Sequence, residues 1–390
     1  MKKLIFFTAW TIILIGCNNN TTQDKHTLSV ITIDTKDVAY STNVSDLFDQ
    51  NIEIIKLETN DQCFVGVKNK KIVKNEYILI SDETSQKISM FDRAGKYIKS
   101  IGIQGRGPGE YVGLGDFLII GDSVYVQDKW QQKIIIYPLG DGMFREIKIE
   151  DPPIYFEEFF TREDKLYFVT NYPAGEKYYN LVSFDLNDFS RNYFVSFDKK
   201  ISQDNQGWGL NKYAGQYRDT TLIIYSRDNN IYNVSESGVY PQYCMDFIRN
   251  KLPDDLMQKN GTEILLAALK KGYNTGLDQI NNSRDYILGS FSEGNRSYDF
   301  IYGKKDGDVR LGGALAMQDW GGLPILNYCT TDRDELIMAY DALFFMQLWQ
   351  KMLSVNDFED GSVKNKFKTI YESSREDDNP IIVISRFKMN

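Results

Sequence analysis

One histidine, four cysteines and nine prolines in 390 residues is a thin supply of the side chains that much hydrolytic and metal-dependent chemistry needs. The histidine, His26, sits in a polar stretch near the start. A serine–histidine triad or a zinc site built from several imidazoles therefore has no candidate in the body of the chain. Cys63, Cys244 and Cys329 are far apart and odd in number, which argues against a disulfide framework or a CxxC metal site and for small buried hydrophobes. Basic residues are outnumbered, 45 against 54 acidic, giving a formal charge of −9 and no footprint for nucleic acid. No cofactor is called for. Calcium, which binds carboxylate oxygens, is the one metal the composition leaves open.

The first 16 residues, MKKLIFFTAWTIILIG, combine Lys2 and Lys3 with a short apolar run, Leu4 to Gly16, the pattern of an export signal. As a helix that run rises only about 20 Å, short of the roughly 30 Å hydrocarbon core, so it does not read as a permanent span. Its ending, Leu14-Ile15-Gly16-Cys17, resembles a bacterial lipobox, which implies cleavage before Cys17 and lipidation of that cysteine. Removing Lys2 and Lys3 takes the formal charge to −11. Residues 17–27 are polar and aperiodic and read as a tether, followed by a body over residues 28–390. The expected location is outside the cytoplasm, lipid-anchored in a bacterial envelope at the outer membrane.

What the chain has in plenty is aromatic residues, 14% Phe, Trp and Tyr, which suit half-buried pleated strands. Two stretches, from Tyr77 and from Val124, superpose without gaps: Asp82 on Asp128, Lys87 on Lys133, Ile88 on Ile134 and Phe91 on Tyr137. Each reads strand, polar turn after an Asp, strand, glycine turn, strand. A repeat of about 46 residues made of consecutive strands is the signature of a propeller blade. Weaker copies put Phe184, Val234 and Tyr302 in the Tyr137 place, and a sixth unit assembles from DELIMAY near Glu335 and the strand Ile381 to Lys388. The expected fold is all-β, a six-bladed β-propeller with short helical insertions at about 253–272 and 340–354. Within the first insertion, Asn260-Gly261 is expected to divide two short helices. The strand Ile52 to Leu57 lies upstream of the first unit and is expected to close the ring beside Ile381 to Phe387, since an open last blade leaves an exposed edge.

Four segments carry a family resemblance: IIKLET at Ile54 to Thr59, the Phe-Asp-x-x-Gly-Lys turn at Phe91 to Lys96, GRGPGEY at Gly105 to Tyr111, and DNPIIVIS at Asp378 to Ser385. Together they resemble a family of bacterial six-bladed β-propeller lipoproteins that is itself similar to NHL-repeat propellers. The resemblance implies an exported, lipid-anchored propeller and no agreed activity.

GRGPGEY lacks the Lys-Ser/Thr of a phosphate loop, and Pro108 removes an amide, so it reads as an inter-blade crossover. Arg106 and Glu110 are expected to pair with each other or with Asp116. If the loop edges the central channel, Arg106, Glu110 and Tyr111 become candidate ligand contacts. Trp208 in QGWG and Trp320 in DWGG are flanked by glycines, and they suit stacking on a flat ligand or sugar ring, as does Trp130. The expected function is a ligand-binding or protein-interaction module without catalysis, taking a small molecule, a glycan or a protein. The alternative is a calcium-dependent hydrolase or lyase using channel carboxylates, with Asp82, Asp116, Asp128 and Asp319 as candidate ligands. A third reading is a structural partner in an envelope complex.

Overall fold

The computed structural model describes residues 27–389 except 67–68, 75–76, 83, 150–153, 174–176, 204–206 and 356–360. Cys17 and His26 lie outside the described residues.

The middle strands are near-continuous apolar runs, such as Tyr77–Asp82 (YILISD) and Lys133–Pro138 (KIIIYP), and both faces of each are largely buried. A short run buried on both faces must lie inside a stack of sheets. The first sheet is a four-stranded antiparallel meander, Asn69–Lys74, Tyr77–Asp82, Lys87–Asp92 and Tyr97–Ser100. The second runs from Leu114–Ile120 to Arg145–Lys148, the third from Glu158–Arg162 to Arg191–Ser196. The fourth runs from Ala214–Tyr217 to Gly238–Phe247, the fifth from Asn274–Asn282 to Val309–Gly312. The first strands of the second to sixth sheets lie side by side in succession. Phe91, Tyr137, Phe184, Val234 and Tyr302 all fall on equivalent strands, the third of their sheets; the three-stranded repeat put them on its second strand, because one further strand, such as Asn69–Lys74, precedes each unit.

The sixth sheet combines Tyr328–Thr330, Glu335–Tyr340 and Ile381–Arg386 with Glu53–Lys56 from the other end of the chain. The pairing is antiparallel, with Ile382 opposite Ile55 and Val383 opposite Ile54. Three of the four resembling motifs meet here. Asn379 is fully buried; its Nδ2 donates to Glu58 O at 2.6 Å and Cys63 O at 2.8 Å, and its Oδ1 accepts from Val65 N at 2.8 Å. Thr59 Oγ1 accepts from Asn379 N at 2.8 Å. Glu58 N donates to Gly95 O at 2.7 Å, joining the Phe91 to Lys96 turn of the first sheet to the same seam. Gly95 has φ of +88°, and a Cβ there would stand 2.1 Å from Lys56 O, so only glycine fits.

The sheets number seven, one more than the six expected. The extra one is three-stranded, with Leu315–Met317 between Thr42–Asn43 and Leu323–Pro324. Its strands are two or three residues long and come from distant parts of the chain, so no period of 46 to 50 could expose it. A second departure is Ser29–Ile33, which joins the fourth sheet as a parallel fifth strand along Gly238–Phe247.

In the first helical insertion the helix proper is Gly261–Lys271, preceded by a 3-10 turn, Leu256–Gln258. Asn260 caps it: its Oδ1 accepts from Glu263 N at 3.0 Å while its Nδ2 reaches Glu263 Oε1 at 2.7 Å. Between the second and third strands of the sixth sheet lie two helices, Ala342–Val355 and Gly361–Ser373. Trp349 and Phe345 of one stack on Phe367 of the other, at centroid distances of 6.0 and 5.6 Å. The second of these helices is absent from the sequence reading; its mean hydropathy is low, and its buried stripe rests on Val363 and Phe367.

Candidate functional site

The GRGPGEY loop is the crossover from the first sheet to the second, and its shape follows from its own hydrogen bonds. Gly105 N donates to Tyr111 O at 2.9 Å and Tyr111 N to Ile103 O at 3.2 Å, closing the loop at its base. Glu110 folds inward, and its Oε2 accepts from Gly107 N at 2.7 Å. Gly109 N reaches Glu146 Oε1 at 2.9 Å on the outermost strand of the second sheet. The Lys133 ammonium, 2.9 Å from the same oxygen, and the Gly109 amide hold the Glu146 carboxyl below the usual range. Tyr137 Oη donates to Gly109 O at 2.7 Å. The loop is thus fixed at Gly109 to the sheet beneath it, by a charge-assisted bond through its amide and a neutral one through its carbonyl.

The glycines allow aromatic rings to lie directly on backbone. A Cβ on Gly113 would stand 2.0 Å from the Trp130 ring, and one on Gly109 would stand 2.5 Å from Phe144. Trp130 is 76% exposed, in the turn after Asp128, and Ile103, Arg106 and Met143 are exposed as well. Asp128 anchors both the turn and the crossover, accepting from Val112 N at 2.8 Å, Gly113 N at 3.3 Å and Trp130 N at 3.1 Å. The result is a rigid platform with an indole, aliphatic side chains and one guanidinium facing solvent.

The expected Arg106 pairings are not found. Glu110 is engaged by the loop amide, Asp116 accepts from Phe159 N at 3.0 Å, and Arg106 makes no ion pair among the described residues. Tyr111 is fully buried and donates to Gln86 O at 2.9 Å; burial pushes its phenol up to about 12. It is a core residue beneath the loop rather than a ligand contact. Trp320 is 2% exposed, packed among Leu315, Leu323 and helix residues such as Trp349, so no ring face is open for stacking. Trp208 is half-buried in the crossover to the fourth sheet, where its carbonyl accepts from Asn171 Nδ2 at 2.8 Å. The structure gathers Arg106, Glu110 and Tyr111 in one loop and leaves Trp208 and Trp320 elsewhere. Trp130 in a polar turn was visible in the sequence. Ile103 and Phe144 were not, because nothing in their spacing shows that the loop closes on one and packs against the other.

The acidic candidates are dispersed. Burial pushes the Asp82 carboxyl up, but bonds from Ser85 Oγ and the amides of Thr84 and Gly66 outweigh that and hold it low. Asp319 accepts from Gln50 Nε2, at 3.3 Å. Among the described residues, no three His, Cys, Asp or Glu side chains come together as a metal would need. A second polar cluster joins the fourth, fifth and sixth sheets: Asp334 accepts from Arg284 N at 2.8 Å, Arg284 Nε at 3.0 Å and Tyr217 Oη at 3.1 Å. Beside it, Lys304 Nζ donates to Asn282 Oδ1 at 2.6 Å, and burial lowers its ammonium to about 8. A concavity of about 380 Å³ lined by Asp285, Tyr286, Gly303, Lys305 and Asp306 lies on the fifth sheet, apart from every residue singled out in the sequence.

Similar architecture is found in solved structures. A Bacteroides fragilis protein named as an exported protein is 19% identical, with a TM-score of 0.72 over 93% of this chain and 100% of that one. A member of the DUF4221 family from Bacteroides vulgatus is 11% identical, with a TM-score of 0.51 over 88% of this chain and 99% of that one. At these identities the likeness shows the β-propeller arrangement alone. No curated protein matches. Residues 28–386, nearly the whole described body, match the model of one family, and the chain accordingly belongs to DUF4934, a domain of unknown function.

Proposed function

We propose that the protein is a non-catalytic binding module of the bacterial envelope, held to the outer membrane through lipid on Cys17. It meets a glycan or protein partner with the platform of Arg106, Trp130 and Phe144. The observation that carries this reading is Trp130, 76% exposed in the turn after Asp128 and lying on Gly113 of a crossover whose backbone is tied down at Gly109 and Val112. An exposed indole on a rigid support contributes contact area at little entropic cost, and the exposed guanidinium of Arg106, without an ion pair among the described residues, adds polar selectivity. Export is supported by the signal-like first 16 residues and by the name of the Bacteroides fragilis relative. No helix among the described residues is long and apolar enough to cross a membrane.

A thermal-shift screen of glycans, peptides and divalent metals tests it. Ligands that raise the midpoint of the native protein are expected to lose at least about tenfold in affinity with Trp130→Ala or Arg106→Ala, about 1.4 kcal/mol or more. A ligand bound equally by both variants, or a calcium-dependent shift accompanied by ester or lactone hydrolysis, overturns this reading.

A further inference from the structure

The helix Gly261–Lys271 is built the wrong way round for a helix that serves only to pack on its own domain. Its buried positions are Gly261, Ile264 and Ala268, mostly small, whereas Leu265, Leu266 and Leu269 are 39%, 61% and 57% exposed. An amphipathic helix ordinarily turns its large apolar residues inward. Here positions i, i+1 and i+4 put three leucines on one outward face. Lys270 and Lys271 flank that face at the C-terminal end, both exposed.

The helix stands close to where the chain enters the fold. It lies in the crossover from the fourth sheet to the fifth, and Ser29–Ile33 is the outer strand of that fourth sheet. Ile248 N donates to Ile33 O at 2.9 Å, and Asn274 N, just past the helix, donates to Asn250 O at 2.7 Å. Leu28, Val30 and Ile248 are exposed along the same edge. Residues 18–28, which separate Cys17 from this strand, can span no more than about 40 Å.

We propose that the leucine face of Gly261–Lys271 docks onto the phospholipid bilayer that holds the chain, seating the propeller in one orientation on the membrane. The proposal rests on the lipid-anchor reading of Cys17. Leu265, Leu266 and Leu269 enter the interface between headgroups and acyl chains, and Lys270 and Lys271 extend their ammonium groups to phosphate. The acyl anchor raises the local concentration of bilayer at this face, so a patch too small to bind membrane by itself suffices.

The test uses the full lipidated chain in phosphatidylethanolamine–phosphatidylcholine vesicles. A polarity-sensitive fluorophore is placed on Leu266→Cys or, as a control on the third sheet, on the exposed Phe189→Cys. Brominated phospholipids are expected to quench the label at 266 at least about threefold more than the label at 189, and replacing Leu265 and Leu269 by serine should abolish the difference. Equal quenching at the two positions overturns the docking. So does a label at 266 shielded without quenching in a chain whose mass doubles with concentration, which assigns the face to a second copy. Cys17→Ser separates the two readings. If native protein and Cys17→Ser are retained equally by vesicles, the anchor reading has failed; if retention needs Cys17 and quenching is equal, only the docking has.

Discussion

Asn379→Ala is expected to destabilise the fold by about 3–5 kcal/mol. The side chain is fully buried and bridges three backbone groups, Glu58 O, Cys63 O and Val65 N. Truncation leaves the buried Cys63 carbonyl and Val65 amide without the Asn379 partner and the Glu58 carbonyl with only the weak Cys63 thiol donor at 3.1 Å, and each buried orphan costs about 1–3 kcal/mol. The loss is concentrated at the one seam where the last strand of the chain and an early strand share a sheet. Asn379→Asp should be no better, because a carboxylate oxygen then faces the two carbonyls that Nδ2 had served. Urea unfolding followed by tryptophan fluorescence measures the effect. An Asn379→Ala protein within about 0.5 kcal/mol of the native one would show that the seam is held by strand pairing alone.

Stability should fall as pH rises from about 4 to 7, and Asp299→Asn should remove most of that fall. Asp299 lies on the third strand of the fifth sheet, half-buried, and burial pushes its carboxyl up to about 7. In the unfolded chain the same group titrates near 3.9. Between those values the folded state holds the proton and the unfolded state does not, so the native form is favoured at low pH and loses that advantage as pH climbs through 7. From pH 5 to 8 the change is roughly 2 kcal/mol after allowance for partial solvent access. Lys304, lowered to about 8 by burial, acts in the opposite direction and only above that pH, so it does not mask the Asp299 window. Unfolding free energies at pH 5 and pH 8 decide the matter: parallel slopes for native protein and Asp299→Asn would remove Asp299 as the source.

Much of the framework is legible because each sheet repeats one local grammar. An apolar run, an Asp-capped turn and a glycine hairpin recur closely enough that Phe91, Tyr137, Phe184, Val234 and Tyr302 could be aligned in sequence and then found on equivalent strands. Ring closure was legible for a different reason: Ile52 to Leu57 had no neighbour to pair with except the last strand. The seventh sheet and the Ser29–Ile33 strand were not legible, since both depend on parallel pairing between segments about 200 or more residues apart. At the site, the turn chemistry of GRGPGEY could be read from glycine and proline, but exposure could not. Tyr111 and Trp320 look like ligand contacts in one dimension and are core residues in three, because flanking glycines can admit a ring into the interior as readily as present it to solvent.

Two early strands, Ser29–Ile33 and Glu53–Lys56, pair with partners that the ribosome delivers much later, residues 238–247 and 381–386. Until those partners exist, neither early strand has a place, and the ring cannot shut before almost the last residue has been made. If the chain is exported, as proposed above, that delay has a use. A nascent chain unable to complete its fold stays threadable through a translocation pore, and it locks only after its far end has crossed.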